Sequence, residues 1–203
     1  MTLYNIKPAF QDLLRPLVRV LFHRGVTANQ VTVSATILSM MLGAGLMLFP
    51  EPCLYISLPI FLFIRMALNA IDGMLAREFN QKSQRGAILN EIGDIIADAA
   101  IYLSFAFLTG VLPWLVVLVV LVVLLSWLTE FCGVIAQTLT GIRNYCGPMG
   151  KSDRAFVLGA LGLFIALWPQ YTGMTNSVFG VSALLLVWTS INRCRSALEV
   201  THA

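Results

Sequence analysis

The sequence is poor in charged residues and in cysteine. Aspartate, glutamate, lysine and arginine make up 11% of its 203 residues, against about 25% in soluble domains. This scarcity excludes an intrinsically disordered chain, a coiled coil and an ordinary soluble globular domain. The four cysteines are widely spaced and form no CxxC motif, which argues against a disulfide framework and against a zinc site.

Apolar residues make up the difference. They account for 58% of the chain, and the mean hydropathy is +0.83. Because a transmembrane helix needs about 20 mainly apolar residues, we predict an all-α membrane protein with six transmembrane helices. The predicted spans cover residues 31–49, 53–72, 87–109, 113–136, 155–169 and 177–192.

The basic residues predict the orientation of these spans. Of the 13 lysines and arginines, all except Arg65 lie within residues 7–24, 77–85, 143–154 and 193–195. The loops predicted on the opposite side of the membrane contain no lysine or arginine. By the positive-inside rule, both termini and both polar loops are expected in the cytoplasm.

The segment before the first span has an amphipathic pattern. Residues 3–24 place leucine, valine and phenylalanine at helical spacing, with Arg15, Arg19 and Arg24 between them. This pattern is typical of a cytoplasmic juxtamembrane helix in the lipid headgroup layer; a solvated leader is the alternative. We therefore divide the chain into an amphipathic interfacial helix, residues 1–24, and a six-helix membrane domain, residues 25–203.

Four polar residues share one face of the third predicted span: Asn90, Glu91, Asp94 and Asp98. At about 100° per residue they fall within an arc of about 100°. An acidic residue at the membrane centre costs about 2.5–3.5 kcal/mol on insertion scales, so these side chains need water, a cation or a partner. One alternative to a functional site is a buried ion-pair network of Arg65, Asp98 and Glu130.

The second span ends with a similar polar face. Asn69, Asp72 and Gly73 are at positions i, i+3 and i+4 and share one side of the helix. Hard cations such as Mg²⁺ prefer oxygen ligands and are often shared with substrate phosphates. The basic residues of the loop 77–85 suit phosphate binding. The sequence therefore predicts a cytoplasm-facing site for a metal and a phosphorylated substrate.

These residues form a spaced pattern that resembles a family signature. The chain reads Asn69-x2-Asp72-Gly73-x2-Ala76-Arg77-x8-Gly86-x3-Asn90-x3-Asp94. It resembles the signature D-x2-D-G-x2-A-R-x8-G-x3-D-x3-D of the CDP-alcohol phosphatidyltransferase family. Every spacing matches, but Asn69 and Asn90 stand where the signature has aspartates. Residues 26–32 and 150–154 are also similar to family segments before the first and fifth spans.

The resemblance implies an activity. Such enzymes transfer a phosphatidyl or other phospho-alcohol group from a CDP-alcohol to an acceptor alcohol and release CMP. The expected donor is CDP-diacylglycerol, and the expected acceptor is an alcohol or a polyol phosphate. The resemblance further implies one or two Mg²⁺ or Mn²⁺ ions, a homodimer in the bacterial inner membrane and an active site facing the cytoplasm. No nucleic acid is expected as a partner.

The resemblance also implies roles for individual residues. Asp94 would act as the general base. The metal ligands would be Asp72, Asp94, Asn69 and Asn90. The CDP-binding residues would be Asn29, Thr32, Asp72, Gly73, Ala76, Arg77, Ser83 and Gly86. The acceptor-binding residues would be Lys151, Arg154 and Arg193.

The two asparagines leave three hypotheses open, because they reduce the signature's negative charge. In the first, Glu91 or Asp98 supplies the lost charge. In the second, the site holds one metal ion, or holds two only when a diphosphate is present. In the third, the protein is a catalytically inactive lipid- or nucleotide-binding membrane protein on the same fold. A solute transporter is disfavoured, because the polar residues concentrate near one membrane face.

Overall fold

The structure is a computed structural model that describes residues 7–109 and 111–201. Within these ranges the α-helices are α1 (Lys7–His23), α2 (Ala28–Leu48), α3 (Ser57–Glu78), α4 (Gln84–Ser104), α5 (Leu115–Thr140), α6 (Lys151–Leu167) and α7 (Met174–Thr201). Short 3-10 helices cover Pro52–Ile56, Phe105–Phe107 and Pro169–Tyr171. The predictions for the segment 1–24 and the domain 25–203 also include residues 1–6, 110 and 202–203, which lie outside the described residues.

Local side-chain hydrogen bonds define where α2 and α6 begin. The Thr27 hydroxyl accepts the backbone N–H of Gln30, and the Gln30 side chain accepts the N–H of Thr27. This reciprocal capping pairs donors that have no partner within the helix. At α6 the Asp153 carboxylate accepts the N–H of Gly150 at 2.9 Å. Both caps precede helices that carry expected site residues in their first two turns.

The protein is an all-α, multi-pass membrane protein. Four segments of the described chain are long and apolar enough to cross a membrane: Ala28–Leu48, Pro52–Glu78, Leu115–Thr140 and Met174–Glu199. The helix α4 carries several charged residues, and α6 has 17 residues. The prediction that these two helices also cross the membrane stays a prediction.

Each predicted span coincides with a helix, but the ends differ. The helix α3 continues to Glu78, beyond the predicted end at residue 72, and α7 continues to Thr201. The third predicted span ends at residue 109, whereas α4 ends at Ser104 and is followed by a 3-10 helix. Hydropathy reports the apolar part of a helix, whereas backbone hydrogen bonding continues into polar residues.

The first of two compact units comprises the described residues up to Met41 together with Phe63–Ala97. Its buried core consists of Val18, Ala28, Val31, Ile71, Met74 and Leu75. These side chains come from α1, α2 and α3. This core packs α1 and α2 against the C-terminal part of α3, on which the first half of the family signature lies.

The second unit comprises Leu42–Leu62 and the described residues from Asp98 onwards. Three aromatic rings lie at its centre, with centroids 5.0 Å apart for Tyr55 and Phe105 and 5.3 Å apart for Phe105 and Phe179. Within this unit a Cβ atom at Gly43 of α2 would overlap the Ala100 carbonyl of α4. The glycine therefore permits direct contact of the two helix backbones.

The helix α1 belongs to the first unit and has apolar side chains on two faces. Val18 is buried in the core, whereas Leu13 and Leu17 are exposed. The Arg15 guanidinium donates to both carboxylate oxygens of Glu78, at 3.2 and 3.3 Å. These hydrogen bonds and the negative charge of Glu78 raise the pKa of Arg15. The ion pair joins α1 to the end of α3.

Candidate functional site

The first and last residues of the signature are in contact. The Asn69 side-chain amide donates to Asp94 Oδ1 at 3.3 Å. The Arg65 guanidinium lies 3.5 Å from the same oxygen and 3.3 Å from the Asp94 backbone carbonyl oxygen. The Asp94 side chain keeps 20% of its surface exposed, against 5% for Arg65. The expected general base is thus held in place by α3 and still reaches solvent.

The second signature aspartate contacts the expected CDP-binding segment of α2. The Thr32 hydroxyl lies 2.9 Å from Asp72 Oδ2 and donates to it. Asp72 itself is buried, with 7% of its surface exposed. This hydrogen bond joins α2 to α3 and sets the position of one carboxylate that is expected to bind metal.

The start of α4 packs closely on α2. The Ser83 hydroxyl accepts the N–H of Gly86 at 2.9 Å, as an N-cap residue does. A Cβ atom at Gly86 would lie 2.7 Å from Asn29 Oδ1 and 2.9 Å from Ser83 Oγ. The missing side chain at residue 86 therefore brings the polar groups of Asn29 and Ser83 together beside the α4 N-terminus, whose unpaired N–H groups favour an anion.

Gly73 provides space for Arg77 one helical turn later. A Cβ atom at Gly73 would lie 3.1 Å from both terminal nitrogens of the Arg77 guanidinium. Arg77 is exposed, and Ala76 beside it is half-buried. The glycine thus leaves room for an exposed guanidinium to lie along its own helix, at the end where phosphate binding is expected.

The oxygen donors expected to bind metal carry less negative charge than the four aspartates of the family signature would. Asn90 and Glu91 are half-buried on α4, as Asn69 is on α3. Within the part of the chain that the structure describes, no three His, Cys, Asp or Glu side chains are grouped to hold a metal ion. The signature supplies the carboxylates of Asp72 and Asp94 with two amide groups, which are oxygen donors of the kind that hard divalent cations prefer.

The expected acceptor-binding residues belong to the second unit, where Arg154 is almost completely buried. Its side chain is 1% exposed. Its three guanidinium nitrogens donate to Tyr102 and Thr129 at 3.3 Å each, and to Asp98 and Glu130 at 3.0 and 3.1 Å. Lys151 is half-buried at the start of the same helix.

A second buried arginine approaches the same carboxylate. Arg193 of α7 is 1% exposed; its Nη1 donates to the Thr129 carbonyl oxygen and lies 3.6 Å from Glu130 Oε2. The loop residue Arg143 lies 3.2 Å from that oxygen. We call Glu130, Arg143, Arg154 and Arg193 the Glu130 cluster.

Arg65, Asp98 and Glu130, the residues of the alternative ion-pair network, each form an ion pair in the structure. Asp98 and Glu130 form ion pairs with Arg154, and Arg65 pairs with Asp94. Arg143, Tyr102 and Thr129 also belong to this network, although the sequence alone did not indicate them as members. Arg143 had a signal, as a basic residue of a loop predicted to be cytoplasmic, whereas an isolated Tyr or Thr in an apolar helix has none.

Comparison with known proteins relates this geometry to a family. A sequence profile of the CDP-alcohol phosphatidyltransferase family matches residues 25–190. Inner membrane protein YnbA of Escherichia coli K12 is 54% identical over 198 residues, which cover 98% of this chain and 97% of YnbA. A phosphatidylinositol phosphate synthase of Mycobacteroides abscessus is 26% identical over 200 residues, with coverages of 94% and 87%.

Solved structures share the fold. The crystal structure of Mycobacterium tuberculosis phosphatidylinositol phosphate synthase with CDP-DAG bound has a TM-score of 0.73 at 19% identity, covering 90% of this chain and 92% of that chain. The structure of that enzyme in complex with manganese and citrate also has a TM-score of 0.73 at 19% identity, with coverages of 90% and 88%. The profile match and the identity with YnbA show that this chain belongs to the CDP-alcohol phosphatidyltransferase family.

Proposed function

We propose that the protein transfers a phosphatidyl or similar phospho-alcohol group from a CDP-alcohol, with CDP-diacylglycerol as donor, to an alcohol or polyol-phosphate acceptor. The observation that carries this proposal is the contact between Asn69 and Asp94. It brings together the two ends of a signature that is spread over a helix, a loop and a second helix. The names of the mycobacterial relatives, one of them solved with CDP-DAG, support the substrate class.

In this proposal the chain's own residues position the donor and accept a proton. Arg77 and the α4 N-terminus at Ser83 and Gly86 would bind the diphosphate, and Asn29 and Thr32 the rest of the CDP group. Asp94 would accept the proton of the acceptor hydroxyl while the hydroxyl oxygen forms a bond to the lipid-linked phosphorus. The bond from that phosphorus to the CMP oxygen breaks, and CMP leaves.

A divalent cation fits this site. Asp72 and Asp94, with the amide oxygens of Asn69 and Asn90, would hold it, and Glu91 would supply further charge. When bound, the ion would neutralise the diphosphate and make CMP a better leaving group. A mycobacterial structure with manganese supports divalent-metal use, and we propose Mg²⁺ or Mn²⁺ for this chain.

The proposal places the site at the cytoplasmic face of a bacterial inner membrane. We propose that α4 and α6 cross the membrane with the four apolar segments, giving six spans, and that both termini are cytoplasmic. The exposed Leu13 and Leu17 of α1 support an interfacial position for the segment 1–24, ahead of the membrane domain 25–203. We further propose a homodimer, on the family resemblance.

Release of CMP by purified protein in mixed micelles tests this function. CDP-diacylglycerol would be the donor, with Mg²⁺ or Mn²⁺ and a panel of alcohols and polyol phosphates. We expect metal- and acceptor-dependent CMP from the wild-type protein and none above background from Asp94→Asn. The matched control is Asp12→Asn, which removes the same charge from an exposed position on α1.

Retained folding is part of this test, because Asp94 pairs with the buried Arg65. Size-exclusion profiles and thermal unfolding in detergent should show a folded Asp94→Asn protein. Asp94→Glu, which keeps the charge, serves as the second variant. Unchanged turnover in folded Asp94→Asn protein would refute the assignment of Asp94 as the base.

A second candidate function is binding without catalysis. It is favoured by Asn69 and Asn90, which remove two of the four negative charges that aspartates at the signature positions would supply. This candidate requires that CDP-diacylglycerol binds to the wild-type protein while no acceptor yields CMP.

A further inference from the structure

The carboxylate of Glu130 occupies a position among arginines that an anionic ligand would otherwise take. Its Oε1 lies 3.1 Å from Arg154, and its Oε2 lies 3.2 Å from Arg143 and 3.6 Å from Arg193. These arginines come from α6, the preceding loop and α7, whereas Glu130 comes from α5. A side chain of the protein thus bridges three basic groups from separate segments, as a bound phosphate would.

The guanidinium groups are also used by other residues of the second unit. Arg154 donates from all three nitrogens to side chains of α4 and α5. Arg193 uses Nη1 for the Thr129 carbonyl. Two of the three residues expected to bind an acceptor phosphate are therefore 1% exposed and engaged within the fold.

Charge leads to the same conclusion as geometry. The three arginines of the Glu130 cluster contribute +3, and Glu130 with Asp98 contributes −2, which leaves +1. A phosphomonoester carries about −1.5 to −2 at neutral pH. Placed among these arginines, it would lie beside the Glu130 carboxylate, and the two like charges would repel each other.

We propose that Glu130 is a specificity-determining residue that excludes phosphorylated acceptors, so that the acceptor is an alcohol without a phosphate group. This inference rests on the proposed transferase function and narrows its acceptor class. In this proposal Glu130 and Asp98 are the partners of Arg154, and Glu130 is also a partner of Arg193, so that these arginines serve the fold before they serve a ligand. In the absence of Glu130 the same arginines would form a site of higher positive charge.

Matched acceptor pairs test the proposal. CMP release from CDP-diacylglycerol would be measured with glycerol against glycerol 3-phosphate, and with inositol against inositol 1-phosphate. We expect the wild-type protein to favour the unphosphorylated member by at least about tenfold in kcat/KM. Glu130→Gln should reduce or reverse this ratio, and Glu199→Gln, at an exposed position of α7, should leave it unchanged. A wild-type preference for the phosphorylated member overturns the proposal.

A binding measurement keeps this inference separate from the transferase function. Saturable binding of inorganic phosphate and of glycerol 3-phosphate would be measured on wild-type and Glu130→Gln protein by calorimetry in detergent. We expect none for the wild type and a new site in the variant. If no acceptor yields CMP, the transferase proposal fails, and phosphate binding still decides the role of Glu130. Phosphate binding by the wild-type cluster, abolished by Arg143→Gln, would refute it even if the Glu130 variant fails to fold.

Discussion

At the scale of single residues, Asn69 changes what the signature can do. An aspartate at this position would place a second carboxylate about where the Asn69 amide now lies, 3.3 Å from Asp94 Oδ1. Two carboxylates this close need a cation between them, whereas an amide donates a hydrogen bond to its neighbour. The native contact therefore needs no cation between its two side chains.

We expect Asn69→Asp to make stability depend on metal. In the presence of a metal chelator the variant should unfold at a lower temperature than the wild type, because repulsion of the two carboxylates costs up to about 4 kcal/mol. Added Mn²⁺ should restore or exceed the wild-type value, because it binds the new carboxylate pair. Thermal unfolding in detergent, with and without Mn²⁺, measures both effects.

The control for this variant is Asn80→Asp, which adds the same charge at an exposed loop position. It should show no metal-dependent shift. Equal behaviour of the two variants would contradict the role we assign to the Asn69–Asp94 contact.

At the scale of helices, glycine determines how closely α2 approaches α4 within the second unit. Gly43 faces the Ala100 carbonyl, and a Cβ atom would overlap it. Gly45, two residues later on the same helix, has no atom within 4 Å of its corresponding position. The two glycines therefore lie on the same helix, but an added Cβ atom would clash at Gly43 and would have open space at Gly45.

Gly43→Ala should destabilise the protein and Gly45→Ala should not. Overpacking against backbone costs about 1–3 kcal/mol, whereas alanine at an open helix position gains up to about 1 kcal/mol over glycine. Thermal unfolding of the two variants in the same detergent compares them directly. A Gly43→Ala protein as stable as Gly45→Ala would show that α2 and α4 do not make this backbone contact.

The sequence predicted the helices better than the contacts between them. All six predicted spans coincide with helices, and four of the described segments are long and apolar enough to cross a membrane. The signature spacing predicted that Asn69 and Asp94 lie together, and their side chains are in contact, since both lie on helix faces set by the 3.6-residue period. The choice of partner for a buried arginine was not predictable, because the four side chains around Arg154 come from two other helices with no local pattern linking them.

At the scale of the whole molecule, basic residues predict which loops face the cytoplasm. Cys53 and Cys146 are both exposed, and they lie in segments predicted on opposite sides of the membrane. Single-cysteine variants on a cysteine-free background would report this topology. We expect an impermeant maleimide to label Cys53 in intact spheroplasts and Cys146 only after lysis. The reverse pattern would contradict the proposed cytoplasmic site.

The division of the chain between its two units affects the order in which the protein is completed during synthesis. The chain passes from one unit to the other after Met41, Leu62 and Ala97, each time within a helix. During synthesis Tyr55, a residue of the second unit, therefore emerges from the ribosome before Phe63–Ala97 of the first unit. It also emerges well before Phe105 and Phe179, the other two rings at the centre of the second unit. A transcript that stops before α7 encodes every described residue of the first unit, yet it leaves the second without the last ring of its core.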